Sequence, residues 1–205
     1  MTHQEVHPLG FFIPPNAQLL MLGSFPPPRA KWSMDFYYPN FINDMWRILG
    51  TIFFDDKDHF IVAGEKRFSK ELCAAFCDNM GIAIGDTAVE ITRLQGNAAD
   101  KHLQIDRGAD IKAIISSIPE CRAIVVTGQK ALDTLLLSLG ETTQPQLGGW
   151  VSLTVDSREI RLYRMPSSSR AYPLPLLTKC MHYKSMFEEL GMLLGTPTTT
   201  GIIKS

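Results

Sequence analysis

Several features that mark other classes of protein are missing from this sequence. No run of about 18 consecutive apolar residues occurs, which excludes an ordinary transmembrane helix. The first ten residues, MTHQEVHPLG, lack the basic start and the long apolar stretch of a signal peptide. We therefore expect no membrane association and a cytoplasmic location.

Cysteine is scarce, and its spacing fits neither a zinc site nor a disulfide framework. The four cysteines are Cys73, Cys77, Cys121 and Cys180. The three residues between Cys73 and Cys77 place both on one face of a helix, which is more typical of a core than of a metal site. We expect no bound metal.

Three catalytic or nucleotide-binding motifs are also absent. Without Gly-x-Ser-x-Gly, a serine hydrolase of the nucleophile-elbow type is not supported. Without Gly-x4-Gly-Lys-Ser/Thr or Gly-x-Gly-x-x-Gly, nothing indicates a nucleoside triphosphate or a dinucleotide. The sequence therefore gives no sign of a cofactor.

The chain carries no large excess of positive charge. Its net charge of −1 argues against an extensive nucleic-acid-binding surface. Residues 158–184, however, contain six basic side chains against the single acid Glu159, a local net charge of +5. This segment is either a solvated basic face or an edge that contacts phosphate.

The order of the predicted elements favours one domain, residues 1–205, with a core at about 17–194. Buried strands at 18–22, 81–84 and 123–126 alternate with amphipathic helical patterns. A hairpin follows, with strands at 150–155 and 159–165 around Asp156-Ser157. This alternation predicts an α/β fold, a three-layer α/β/α domain with a central, largely parallel sheet.

The remaining segments are assigned by the same patterns. The predicted helices are 40–49, 66–79, 110–119, 129–139 and 175–194; the predicted irregular segments are 1–16, the proline-rich loop 24–39, the long loop 85–108 and a frayed tail, 196–205. A loop as long as 85–108 inside a compact domain is often functional.

Two loops that follow predicted strands carry the residues most suited to chemistry. In the first, Tyr38 and Asn43 offer an aromatic ring and an amide, which can stack on a planar heterocycle and bind its edge. In the second, small hydroxyl residues precede Arg170, and their backbone N–H groups could hold a phosphate. The plain alternatives are packing in the first loop and a simple turn in the second.

At four places, the order and spacing of the residues resemble the uracil-DNA glycosylase superfamily. The matching segments are Gly23–Pro27, Tyr37–Trp46, Gly81–Asp86 and Met165–Ser169. The resemblance spans roughly residues 17–190 and is strongest to the branch of the hypoxanthine-DNA glycosylases, near the mismatch-specific uracil glycosylases. It implies hydrolysis of the N-glycosidic bond of a deaminated base in DNA, without metal or cofactor, by a monomer.

The resemblance also assigns roles to individual residues. Tyr38 would stack on a base flipped out of the duplex, and backbone N–H groups near Ser24 and Phe25 would bind its carbonyl oxygens. Asn43 would stabilise the departing anionic base or position the attacking water. The DNA-contacting segment would comprise Ser167, Ser168, Ser169 and Arg170.

Three positions leave alternatives open. Phe25 stands where many members of the superfamily have an acid or an amide, and Met165 replaces a histidine or asparagine at the head of the second loop. A catalytically weak module that binds DNA or a nucleobase is therefore the alternative. Asp86 could hydrogen-bond the base edge or the water, or merely cap a turn, and we expect His182 on a helix face.

Overall fold

The computed structural model describes residues 3–94 and 103–193. These residues form eight strands and five α-helices. In chain order they are β1 (His3–Val6), β2 (Leu19–Gly23), α1 (Met45–Phe54), α2 (Lys70–Met80), β3 (Ile82–Asp86), β4 (Ala88–Arg93), β5 (Leu103–Gly108), α3 (Ile111–Ser117), β6 (Ala123–Thr127), α4 (Gln129–Leu139), β7 (Trp150–Val155), β8 (Arg158–Met165) and α5 (Leu176–Glu189).

The larger sheet has five strands in the order β3-β2-β6-β8-β7. The first four strands are parallel, and β7 pairs antiparallel with β8 at the edge. β2, β3 and β6 are buried along their whole length, as expected for parallel strands covered on both faces. The predicted central, largely parallel sheet is confirmed.

Alternating side chains of this sheet pack against helices on opposite faces. Leu19 and Met21 of β2 belong to a core with α1, α2 and α5. Leu20 and Leu22 point the other way, into a core with α3 and α4. Because neighbouring residues of a strand face opposite sides, one short apolar strand serves both cores and produces the three α/β/α layers.

A second, smaller sheet corrects two predictions. β1 lies in the N-terminal segment predicted to be irregular, and β4 and β5 lie within the predicted long loop 85–108. They form an antiparallel sheet in the order β1-β4-β5. Ala88 and Ile91 of β4 pack with Leu103 of β5 in a small core. Charged residues of the two strands, Glu90, Arg93, Asp106 and Arg107, interrupt the apolar pattern, so the strands are not evident from the sequence. Residues 95–102 lie outside the described part of the chain.

Two predicted helices have different bounds in the structure. α1 begins at Met45 rather than residue 40, because side chains of Asn40 and Asn43 accept backbone N–H bonds from Ile42 and Met45 and hold residues 40–44 in turns. α5 ends at Glu189, so the predicted end at residue 194 is wrong. The helix prediction 129–139 matches α4.

Other boundaries shift by a few residues. α2 begins after Ser69, whose hydroxyl caps the helix by accepting from the N–H of Leu72, and α3 is shorter than the predicted 110–119. None of the helices in the described ranges is long and apolar enough to cross a membrane. The predicted frayed tail, 196–205, lies outside the described residues.

Candidate functional site

A cavity of about 130 Å³ opens at the carboxyl edge of the larger sheet. Gly23, Asp86 and Thr127 end strands β2, β3 and β6 there, and Ser167 follows the end of β8. An open α/β sheet places its ligand crevice at this edge. Eight of the nine predicted site residues line the cavity: Ser24, Phe25, Tyr38, Asn43, Asp86, Ser167, Ser168 and Ser169.

The proline-rich loop after β2 folds back on itself and forms one wall of the cavity. The indole N–H of Trp32 donates to the carbonyl of Pro27 at 2.7 Å. The backbone N–H and the hydroxyl of Ser33 both donate to the carbonyl of Pro39, each at 2.8 Å. These bonds return the chain to the cavity at Tyr38.

Tyr38 is held by its hydroxyl and by an unusual backbone. Its φ of 51° lies in the left-handed region, where non-glycine residues are uncommon and often functional. Its hydroxyl lies 3.0 Å from the Thr127 hydroxyl, which donates to the carbonyl of Leu22 at 3.3 Å, so Tyr38 is the donor to Thr127. Burial, followed by the negative charge of Asp86, raises the pKa of Tyr38, so the hydroxyl stays protonated.

Asn43 is fixed at one end of its amide. Its Oδ1 accepts the backbone N–H of Met45 at 2.9 Å, in the first turn of α1. Arg47 donates to the carbonyls of Phe41 and Asn43 and holds the preceding turn. With Oδ1 occupied by an N–H, the NH₂ group is the end of the Asn43 amide left to bind a ligand, and it can only donate.

Asp86 is almost buried, with 8 % of the residue exposed, and has a partner that the sequence did not suggest. Its Oδ2 lies 2.8 Å from Nε2 of His7, whose side chain is also nearly buried. The other ring nitrogen of His7 faces the backbone of Leu9 at 2.7 Å and 3.1 Å. His7 follows β1, so the smaller sheet brings this imidazole to the Asp86 carboxylate.

Gly23 has no side chain, and the Asp86 carboxylate occupies the space that a side chain would fill. A Cβ at position 23 would lie 2.2 Å from Oδ1 of Asp86 and 3.7 Å from the Tyr38 hydroxyl oxygen. The carboxylate therefore covers the end of β2, near the Tyr38 hydroxyl. Any side chain larger than hydrogen would displace it.

Phe25 has two surroundings. Its ring lines the cavity, and it also packs in a small core with Ala88, Ile91 and Leu103 of the smaller sheet. Its ring meets that of His7 edge-on at 5.2 Å. Phe25 thus joins the two sheets, and it presents only apolar surface to a ligand.

The second loop is a tight turn stabilised by its own hydroxyls. Ser167 Oγ accepts from the N–H of Ser169, and Ser169 Oγ accepts from the N–H of Ala171, both at 3.2 Å. Ser168 is buried, with 2 % exposed. The loop approaches Gly128, where a Cβ would lie 3.6 Å from that of Ser167. Ser167, Ser168 and Ser169 of this turn, the serine turn, thus form part of the cavity wall.

Arg170 lies outside the cavity. Its Nε donates to Oδ1 of Asp44 at 2.9 Å, and about half of its side chain is exposed. The guanidinium is thus at the surface, one residue beyond the serine turn.

The basic segment 158–184 does not form a continuous basic edge. Arg158 donates to four carbonyls around the end of α3, and Arg161 lies over the ring of Trp150. Lys179 is fully buried, and Lys184 pairs with Glu188 one turn along α5. Lys179, which is buried, and Arg158, which is bonded to carbonyls, therefore belong neither to a solvated basic face nor to an edge that contacts phosphate. Arg158 also begins β8, seven residues before the end nearest the cavity, or roughly 23 Å away.

The cysteines are structural. All four are free and buried, and burial raises the pKa of each thiol, so they are not reactive thiolates at neutral pH. Among residues 3–94 and 103–193, no three His, Cys, Asp or Glu side chains cluster as metal ligands. His182 lies on α5 beside Gly148.

Sequence reasoning missed His7, Thr127 and the pair Asp44–Lys179. Thr127 directly follows the apolar run of β6, so its position at a strand end was a usable signal. Nothing local marks His7, because its partner Asp86 is 79 residues away. Asp44 and Lys179 are ordinary charged residues until α1 and α5 pack together.

Comparison with known proteins supports the fold. No protein-family model matches the chain, and no curated protein shows significant similarity to it. A solution structure from Methanosarcina acetivorans, provisionally named a uracil DNA glycosylase, superposes with a TM-score of 0.58 at 19% sequence identity. The match covers 89% of this chain and 96% of that chain. The chain therefore shares the α/β/α fold of that structure.

Proposed function

We propose that this protein is a monofunctional DNA glycosylase, which hydrolyses the N-glycosidic bond of a deaminated base, hypoxanthine or uracil, in DNA. The observation that carries the proposal is the convergence of Ser24, Tyr38, Asn43 and Asp86 on one cavity. These residues come from three separate segments that were selected from the sequence for this activity. The likeness of the fold to a protein named for the same activity adds support.

The cavity is suited to a single flipped base. A base within a duplex is not accessible to an enzyme site, so the nucleotide must leave the stack. In our proposal the base enters against the ring of Tyr38, whose hydroxyl is anchored on Thr127. Backbone N–H groups near Ser24 and Phe25 bind its carbonyl oxygens.

Asn43 stabilises the charge that develops as the bond breaks. The electron pair of the N-glycosidic bond moves onto the base, which becomes anionic, while the sugar gains oxocarbenium character. Donors that are already oriented toward the developing charge lower the barrier. The NH₂ group of Asn43 is such a donor, because the bond from Met45 fixes the amide.

Asp86 activates the attacking water by accepting its proton. The water adds to C1′ of the sugar and gives up a proton, and the base leaves and is protonated; the products are the free base and an abasic site in DNA. A carboxylate held by His7 on one oxygen can accept that proton through the other. No step in this scheme requires a metal or a cofactor.

Phe25 favours a second candidate function. An apolar, buried ring at this position cannot polarise water or accept a proton. A module that binds DNA or a nucleobase without cleaving it would need the cavity but not the catalysis. The two candidates share the fold and differ in turnover.

Two substitutions of Asn43 test the proposal. Asn43→Asp keeps an oxygen to accept from Met45 but removes the donor and adds a negative charge. Asn43→Ala removes both. Oligonucleotides that contain hypoxanthine, uracil or a normal base are incubated with each protein, and strand breaks are counted after alkali and heat.

We expect wild-type protein to release the deaminated bases, and both variants to lose at least about 100-fold in rate, the size of one lost preorganised donor. Only Asn43→Ala should lose thermal stability, by about 1 kcal/mol, since it alone loses the side-chain acceptor for the N–H of Met45. DNA binding without strand breaks for any base would support the second candidate. A fully active Asn43→Asp would refute the role of the amide donor.

A further inference from the structure

A fully buried lysine joins the two loops of the cavity. Lys179, on α5, has no exposed surface, and its Nζ donates to Oδ2 of Asp44 at 3.0 Å. Asp44 directly precedes α1 and directly follows Asn43. The side chain of Asp44 is 8 % exposed, so the pair is enclosed in protein.

The same two residues also donate hydrogen bonds to carbonyls of the serine turn. Nζ of Lys179 donates to the carbonyl of Ser169 at 2.8 Å, and the backbone N–H of Asp44 donates to the carbonyl of Ser168 at 2.9 Å. One helical turn after Lys179, the Tyr183 hydroxyl donates to the carbonyl of Pro166 at 2.9 Å. Three carbonyls of the turn are thus tied to the protein interior.

A buried ion pair is a costly way to gain stability. Removing two charges from water costs several kcal/mol per ion, and apolar replacements of similar volume often fold as well or better. Buried polar groups can instead specify one arrangement among similar ones. Here the arrangement is the distance between Asn43 and the serine turn, because Asp44 directly follows Asn43 and its backbone N–H is hydrogen-bonded to the turn.

We propose that Lys179 is a positioning residue for the candidate site: through Asp44 and the Ser169 carbonyl it sets the serine turn against Asn43. This inference rests on the proposed function for its catalytic consequence. Lys179 does not touch substrate, since it is buried beneath the turn. Its effect is to keep Asn43 and the DNA-contacting turn at one separation.

The test separates positioning from folding. Lys179→Met alone leaves Asp44 buried with only the half-exposed Arg170 as a partner, so we expect a lowered melting temperature. Lys179→Met combined with Asp44→Asn removes both charges, and we expect most of the melting temperature to return. Lys184→Met, an exposed position on the same helix, is the matched control.

Two readouts then decide the matter. In the double variant we expect hydrogen exchange of the amides of residues 167–171 at least tenfold faster than in wild type. We also expect excision at least tenfold slower, with the melting temperature largely recovered. The control should match wild type in both. Wild-type exchange and excision in the double variant would overturn the inference.

The outcomes also distinguish the inference from the proposed function. A wild-type protein that excises no base contradicts the proposed function, and the exchange of residues 167–171 then still decides whether Lys179 positions the turn. If the double variant does not fold, Lys179→Gln serves in its place, because it removes the charge and its nitrogen lies one bond short of the position from which Nζ contacts Asp44 and the Ser169 carbonyl. Its exchange and excision are judged by the same tenfold criterion.

Discussion

Gly23→Ala tests the placement of the Asp86 carboxylate most directly. The new Cβ would lie 2.2 Å from Oδ1 and 3.5 Å from Cγ of Asp86, whereas ordinary contacts of a Cβ begin at 3.4 Å. The carboxylate oxygen must therefore move by about 1 Å, judged from the shortfall in that contact. The hydrogen bond that Asp86 accepts from His7 restricts that movement.

The size of the effect follows from two generalisations. Adding a methyl group to a well-packed site costs about 1–3 kcal/mol, which corresponds to a melting temperature lower by roughly 2–12 °C for a protein of this size. A misplacement of about 1 Å can lower the rate of an enzyme about 100-fold. We therefore expect a folded protein with a modest loss of stability and a large loss of excision.

Two further proteins complete the experiment. Gly149→Ala is the matched control, because the nearest atom to its new Cβ is the Gln146 carbonyl oxygen at an ordinary 3.5 Å. Gly23→Ala combined with Asp86→Ala should recover stability, since the clashing oxygen is gone, but not excision. Melting and single-turnover excision are measured on all four proteins. Wild-type behaviour of Gly23→Ala in both assays would refute the geometry on which the site is built.

Two other predictions concern charge. Burial raises the pKa of the Cys73 and Cys77 thiols, so both stay protonated in the folded state. In the unfolded state the same thiols ionise near pH 8.5. The free energy of unfolding should therefore be unaffected by these thiols below that pH and should decrease above it. The free energy of unfolding in urea should lose up to about 1.4 kcal/mol per pH unit for each thiol. Cys73→Ala should reduce the slope accordingly, and an unchanged slope would contradict this. Arg170→Met should lower the dependence of log Kd for DNA on log salt by about one, while Lys184→Met leaves it unchanged. Equal slopes for wild type and Arg170→Met would show that Arg170 does not contact phosphate.

The parts of the fold that sequence could predict are those with strong local patterns. β6 is an unbroken apolar run, and α4 has leucines at helical spacing with Gly140 after its end, so both were placed to within a residue. The boundary of α1 could not be predicted, because Asn43 favours a turn through one specific side-chain bond to Met45.

The residues of the site also divide into those that the sequence could predict and those that it could not. Tyr38, Asn43 and Asp86 stand beside strand ends or in segments that resemble a known family, and they meet as expected in one cavity. His7 could not be placed, because its only signal is a partner reached through the smaller sheet. The count of positive charges in residues 158–184 overstated the exposed charge, because a count does not register that Lys179 is buried.

The pairing of His7 with Asp86 makes the candidate site a property of nearly the whole chain. The carboxylate at the edge of the large sheet is paired with His7, near the start of the chain, and the serine turn is anchored by Lys179, near its end. A fragment that began at residue 17 would lose the imidazole of His7, the cavity-lining side chain of Leu9 and the backbone pairing of Phe12 with Ile84. During synthesis, His7 can pair only after Asp86 has emerged, and the serine turn can be anchored only after the last helix has emerged, so the complete site forms when almost the entire protein has been made.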